Sequence, residues 1–352
     1  MSKRSLKHIH IREASIMRKI RRSNKVRQIL RIRRATRKRV KTKRPRYTNS
    51  TFTPSAPPIS FKAGANFELL KSPEDVIAFI NDIEANLRQN PQKITVQFDF
   101  SDIVYVDNEA IGLVLAYINA LSKRNIPSFG NLPISQEAYD IFMNSGFLEN
   151  VKLIQGKKIK SVDTFIVQKG AGRTDTAMVS REIKRIMQHL TGIPSKYPPL
   201  YTLITEIISN SIEHANKSHI DKNWLFSVHY ENGRVRLMIG DIGRGIMSTL
   251  RKKFHQTLGD LFLTKDDTHI LYDLFDRKYQ SSTFEDNRNQ GLPKIKDLFE
   301  KNYISDLCVI TNKVYLDFND NNSRVLYHNL SGTFYSLVIT SDNIQTWQNR
   351  VA

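Results

Sequence analysis

The chain has 352 residues, 40% of them hydrophobic, enough for folded cores, and a formal net charge of +20. Its one cysteine, Cys308, excludes an internal disulfide and fits a reducing cytoplasm. No apolar run is long enough to span a bilayer, and neither a G-x-x-x-x-G-K-[ST] phosphate loop nor zinc-spaced Cys/His pairs occur.

The charge sits at the start. Met1 to Arg46 hold 20 of the 54 Lys plus Arg residues and a single acid, Glu13, so nearly all of the net charge belongs to this arm. Like charges at that density repel one another and predict disorder in isolation. Apolar positions at Ile16, Ile20, Val26, Ile29, Leu30 and Ile32 allow a helix once the charge is neutralised. Such an arm suits a polyanion, nucleic acid first, with steep salt dependence and little sequence preference. Anionic lipid, an organellar targeting peptide and a plain solvated tail are the alternatives; the lack of Trp and Phe counts against lipid. Residues 47–64 read as a linker, rich in Thr, Ser and Pro.

Residues 65–157 follow. Ile94, Val96, Phe98 and Phe100 alternate through a strand, and a short strand from Ile103 to Val106 ends at Asp107. The spacing of Ile111, Leu115, Ile118 and Leu121 predicts a helix from about Glu109 to Lys123. Asn131 closes another short strand, and Ser135 to Ser145 reads as a helix stopped at Gly146. This order resembles the STAS domain of anti-anti-sigma factors. The family signature D-S-S-G-L-G reads here Asp107-Asn108-Glu109-Ala110-Ile111-Gly112. Asn108 stands at the phosphoacceptor position and has no hydroxyl, so the resemblance implies a docking module for a regulatory protein partner without the usual switch. An unrelated α/β unit containing a βαβ element is the plainer alternative.

A helix is predicted from Thr176 to Leu190. It carries His189 near its end, a position that the helix dipole favours. In the next helix Ile204, Ile207, Ile208, Ser211, Ile212 and Ala215 share one arc, and Glu206, Asn210, Glu213 and His214 the other. Glu206 and Asn210, four apart, project toward the same point. That pair suits a carboxylate that activates a water beside an amide oxygen that completes a Mg²⁺ shell. The same pattern also describes the wet face of an amphipathic helix. A strand from Val235 to Gly240 then ends in Asp241-Ile242-Gly243-Arg244-Gly245-Ile246. A carboxylate there can accept hydrogen bonds from a ligand amine while the glycines admit the ligand close to backbone. A glycine-rich turn capped by Asp241 is the alternative.

Taken in order over roughly Asp175 to Thr340, these boxes resemble the GHKL ATPase superfamily. The resemblance implies ATP and Mg²⁺ as ligands, with Glu206 as the catalytic base or water-positioning group, Asn210 as the Mg²⁺ ligand, and His214-Ala215 completing that box. It implies that Asp241 holds the adenine amino group beside Gly243 and Gly245. Asn289-Gln290-Gly291-Leu292 corresponds to the family's G-x-G-L box without its first glycine, and Gly332-Thr333 to the late Gly-Thr near adenine. The interval Met247 to Gln290 corresponds to the ATP lid, where Ser281 to Thr283 and Arg288 would offer donors to a triphosphate; a solvated connecting loop is the alternative.

The expected architecture is α/β: a basic arm (1–46), a linker (47–64), a STAS-like domain (65–157) and a GHKL-type, Bergerat-type α/β sandwich (165–345). The expected function is that of an ATP-binding regulatory protein with weak ATPase or serine/threonine kinase activity. The alternative is an ATP-gated, nucleic-acid-associated binding protein without significant catalysis.

Overall fold

The computed structural model describes residues 58–90, 94–151, 164–170, 176–214, 223–254, 265–276, 291–319 and 322–351. The arm 1–46 and residues 47–57 lie outside them, as do Ser281 to Thr283 and Arg288. The architecture is mixed α/β, with parallel and antiparallel sheets, as the sequence predicts.

Strand β1 (Pro58–Lys62) occupies the stretch expected to be linker, so the linker ends before Pro58 rather than at 64. Proline at the first residue of an edge strand loses no ladder hydrogen bond, which is why the Pro-rich composition concealed a strand. After β2 (Asn66–Phe67) comes α1 (Pro73–Gln89), a helix absent from the expected elements. Pro73 opens it, Glu74 and Asp75 stand at its positive end, and Val76, Ile77, Ile80 and Ile83 are buried. Strand β3 (Thr95–Asp99) and the short β4 (Tyr105–Val106) lead to α2 (Asn108–Lys123), then β5 (Ser128–Gly130), α3 (Gln136–Asn144) and α4 (Phe147–Asn150). Gly146 takes φ +78° where α3 stops. Strands β1, β3 and β5 pair in parallel in that order, with β3 central, and β2 pairs with β4.

The second half begins with β6 (Thr164–Gly170), α5 (Thr176–Thr191) and α6 (Pro198–His214). Strands β7 (Asn223–Glu231) and β8 (Arg234–Asp241) form a hairpin. Helices α7 (Ile246–Phe254), α8 (Asp267–Phe275) and α9 (Gly291–Glu300) follow, then β9 (Ser305–Asp317), β10 (Arg324–Thr340) and α10 (Ser341–Val351). The five strands form one antiparallel sheet in the order β6-β7-β8-β10-β9.

Both faces of that sheet are buried, and the period-2 alternation of strand side chains divides them. Leu237 and Ile239 of β8 and Tyr335, Leu337 and Ile339 of β10 join Ile183 of α5, Ile204 and Ile208 of α6 and Ile295 of α9 in one core. Leu225, Met238, Cys308, Ile310 and Phe334 face the other way and share a core with Ala110, Leu113 and Val114 of α2 and Ile77 and Ile80 of α1. The N-terminal α/β segment is thus the third layer of the sheet. The described residues form one compact unit, although the sequence suggested two domains.

Three contacts seal this seam. A Cβ at Gly112 of α2 would stand 2.7 Å from Met238 Sδ, so the missing side chain lets the helix lie on the sheet. Glu74 accepts hydrogen bonds from the backbone N–H groups of Tyr327 (2.7 Å) and His328 (3.1 Å), where the β9–β10 ladder is irregular. Glu109 is 3% exposed; its Oε1 accepts a 2.9 Å hydrogen bond from Ser336 Oγ and lies 3.8 Å from Arg236 Nε. Burial, reinforced by Asp107, pushes the Glu109 carboxyl up to about 7 against the opposing pull of Arg236 and Ser336.

Candidate functional site

Helix α6 turns Leu203, Ile204, Ile207 and Ile208 into the core and leaves Glu206 and Asn210 half-buried on its opposite side. The start of α9 lies against them. A Cβ on Gly291 would come within 3.0 Å of Asn210 Nδ2 and 3.2 Å of Glu206 Oε2, so a side chain there would intrude on both groups. Two stretches some eighty residues apart in the sequence thereby form one polar corner. Leu292, the neighbour of Gly291, packs instead against the helix-side core.

Asp241 ends β8 on the same face of the sheet. Ser211, one residue beyond Asn210, places its Oγ 3.0 Å from Asp241 Oδ2 and 3.0 Å from the Ile207 carbonyl, so its single proton serves one acceptor or the other. Burial pushes the Asp241 carboxyl up to about 7, the Ser211 hydrogen bond acting in the opposite direction. Thr333 lies directly across from Asp241 in the β8–β10 ladder, and its Oγ1 is 3.0 Å from Thr311 Oγ1. Gly332 takes φ +137°, and a Cβ there would collide with the Asp241 carbonyl.

The turn after Asp241 is held from β9. Thr311 Oγ1 accepts from the Ile246 N–H (2.9 Å). Asn312 accepts from the Ser248 N–H (3.1 Å) and donates to the Arg244 carbonyl (2.9 Å). Asn312 itself takes φ +53°. Gly245, at φ +80°, sits where any side chain would strike the Asn312 amide. On the far side of the turn, Ile242 and Gly243 line a cleft of about 200 Å³ with Ile80, Glu84, Arg88 and Tyr117 of α1 and α2.

Glu206, Asn210 and Gly291 therefore meet at one corner, and Ser211, the neighbour of Asn210, ties α6 to Asp241, which has Thr333 across the ladder and Gly243 against its carboxylate. Gly245 packs on Asn312 instead. Arg288 and the side chain of His214 lie outside the described residues. Four contributors escape the sequence reading: Ser211, Thr311, Asn312 and Lys294. Ser211 left a signal, as the one hydroxyl on the apolar arc of α6. Lys294, on the first turn of α9, places its Nζ 2.7 Å from Glu206 Oε1. His189 lies outside this group; its Nε2 is 2.8 Å from the Glu231 carbonyl and its ring meets Tyr230 edge-on, a helix-terminal contact.

The sequence matches no protein-family model and no curated protein. Among the described residues, no three His, Cys, Asp or Glu side chains are grouped to hold a metal ion. A cation here would rest on few protein ligands and take the remainder from water or a bound anion, as Mg²⁺ at phosphates does. The Asn210 amide oxygen and the Glu206 carboxylate are the oxygens the corner offers it.

Proposed function

We propose that this chain is an ATP-binding regulatory protein of the GHKL kind, with weak ATPase or serine/threonine kinase activity. The observation that carries the proposal is the convergence of Glu206, Asn210 and Gly291 at one corner, on a helix whose Ser211 hydrogen-bonds Asp241, with Thr333 across the ladder from it. Asp241 accepts the adenine amino group, and Thr333 lies beside it. Asn210 holds Mg²⁺, which when bound offsets phosphate charge. Glu206 takes the proton of a water or of a partner's serine or threonine hydroxyl as its oxygen bonds to the γ-phosphorus. The bond from that phosphorus to the bridging oxygen breaks and ADP leaves. The N-terminal layer is a degenerate STAS-like unit that docks on its own ATPase layer, and a regulatory partner reads the combined surface. Among the described residues no helix is long and apolar enough to cross a membrane. The buried free thiol of Cys308 suits a cytoplasmic setting.

Binding and turnover of Mg·ATP by the wild-type chain, Asp241→Ala and Glu206→Ala test the proposal. Loss of binding in Asp241→Ala and loss of turnover alone in Glu206→Ala are expected. Equal ATP affinity in wild type and Asp241→Ala rules out the pocket. The pairing of Glu206 with Lys294 favours a second reading, an ATP-gated binder acting on nucleic acid through residues 1–46. Tight binding without turnover in both wild type and Glu206→Ala selects it.

A further inference from the structure

Lys294 belongs to none of the sequence boxes, yet its ammonium pairs with Glu206 in the polar corner. It stands on the first turn of α9, and Gly291 of that turn faces Glu206 and Asn210. An ammonium has three N–H donors, and the 2.7 Å contact with Glu206 Oε1 uses one of them. The Lys294 side chain is 42% exposed and Glu206 27%, so solvent reaches the pair and a ligand can too.

The charges there require such a group. A carboxylate beside a triphosphate repels it, and the glycine box of this chain offers Asn289 where a first glycine would let backbone approach the phosphates. A cation shared between Glu206 and the phosphate oxygens offsets the repulsion and replaces the lost contact. We infer that Lys294 binds the β- or γ-phosphate of the nucleotide while holding Glu206, so that this lysine sets the preference of the pocket for triphosphate over monophosphate. The assignment rests on the ATP-pocket proposal and adds to it the residue that reads phosphate number.

Dissociation constants for ATP, ADP and AMP, each with Mg²⁺, test it on the full chain and on Lys294→Ala, Lys294→Arg and the double variant Glu206→Gln/Lys294→Ala. Lys294→Ala is expected to weaken ATP about ten- to hundredfold, the range of a lost charge-assisted hydrogen bond, and to leave AMP unchanged. Lys294→Arg should retain most of the affinity. The double variant should recover part of the loss, because removing the carboxylate also removes the repulsion that Lys294 cancels. Equal weakening of all three nucleotides would mean a structural role and overturn the assignment, as would unchanged ATP affinity in Lys294→Ala. If wild type binds ATP and Asp241→Ala does not, such a failure concerns Lys294 alone. If wild type binds none of the three, the pocket falls and the assignment with it.

Discussion

Glu109, on the first turn of α2, accepts a hydrogen bond from Ser336 on β10, 227 residues further along the chain. The bond ties the start of α2 to the central sheet, and the carboxyl is buried where its ionised form is disfavoured.

That burial has a pH signature. Because the folded state holds the Glu109 proton more tightly than the unfolded chain does, this carboxyl favours folding at low pH. The contribution is lost as pH rises from 4.5, its ordinary value, to about 7. Glu109→Gln keeps an acceptor for Ser336 and removes the titration. Its stability relative to wild type, measured by urea unfolding, should rise between pH 5 and pH 8. A difference that stays constant across that range would show that Glu109 does not titrate there. Comparing the two proteins cancels the opposite trend of buried His229, whose imidazole is pushed down to about 4 and so weakens the fold in acid.

Asp241 should trade stability for binding. Its carboxyl is pushed up to about 7, and an ionised carboxylate is the better acceptor for an amine. Adenosine has no phosphate to titrate, so its affinity isolates this group. It should strengthen from pH 6 to pH 8 and level off above. Asp241→Asn should bind adenosine weakly at every pH, yet raise the melting midpoint at pH 8 by at least about 2 °C, the shift that ~1 kcal/mol produces in a protein of this size. Calorimetry and thermal unfolding on the same samples check both halves.

Gly332 sits where φ is +137° and where a Cβ would collide with the carbonyl of Asp241. Gly332→Ala should therefore cost about 2 kcal/mol or more and move β10 away from Asp241. Asn312→Ala removes the amide that accepts from Ser248 and donates to Arg244. Its cost should be about 1–3 kcal/mol, with adenosine affinity falling alongside. Denaturant midpoints and adenosine binding measure both; wild-type binding by Asn312→Ala would mean that the turn holds its shape without β9.

Deleting residues 1–46 removes nearly all of the net charge. The shortened chain should lose affinity for duplex DNA and most of the salt slope, which in the full chain amounts to roughly 0.9 per neutralised phosphate. Filter binding at several salt concentrations measures it. Persistence of both affinity and slope would place the contact elsewhere on the protein.

Much of the local structure was legible because it is periodic. The arc of Ile204, Ile207 and Ile208 gave α6 its buried side, and the alternation from Val235 to Ile239 gave β8 together with its end at Asp241. Meeting points were legible only in part. Gly291 facing Asn210 depends on the packing of α9 on α6, to which the spacing within either box is blind. Asn312 shows no local signal, since its role arises from φ +53° in an irregular stretch of the β9–β10 ladder. Strand β1 was hidden by the proline at its start and the one before it. The sandwiched sheet did leave a trace. Met238 and Phe334 fall on the alternate positions of their strands, where a half-exposed sheet would place polar residues.

Cys308 lies on that second face, 7% exposed, its thiol pushed up to about 12 by burial. A thiol so protonated and so covered reacts slowly with alkylating reagents. Its rate of modification is therefore a clock for the seam: each parting of α1 and α2 from the sheet exposes the one sulfhydryl the chain carries. Without any added label, the protein holds its own probe of how often its two halves separate, and of whether nucleotide lengthens the interval between those events.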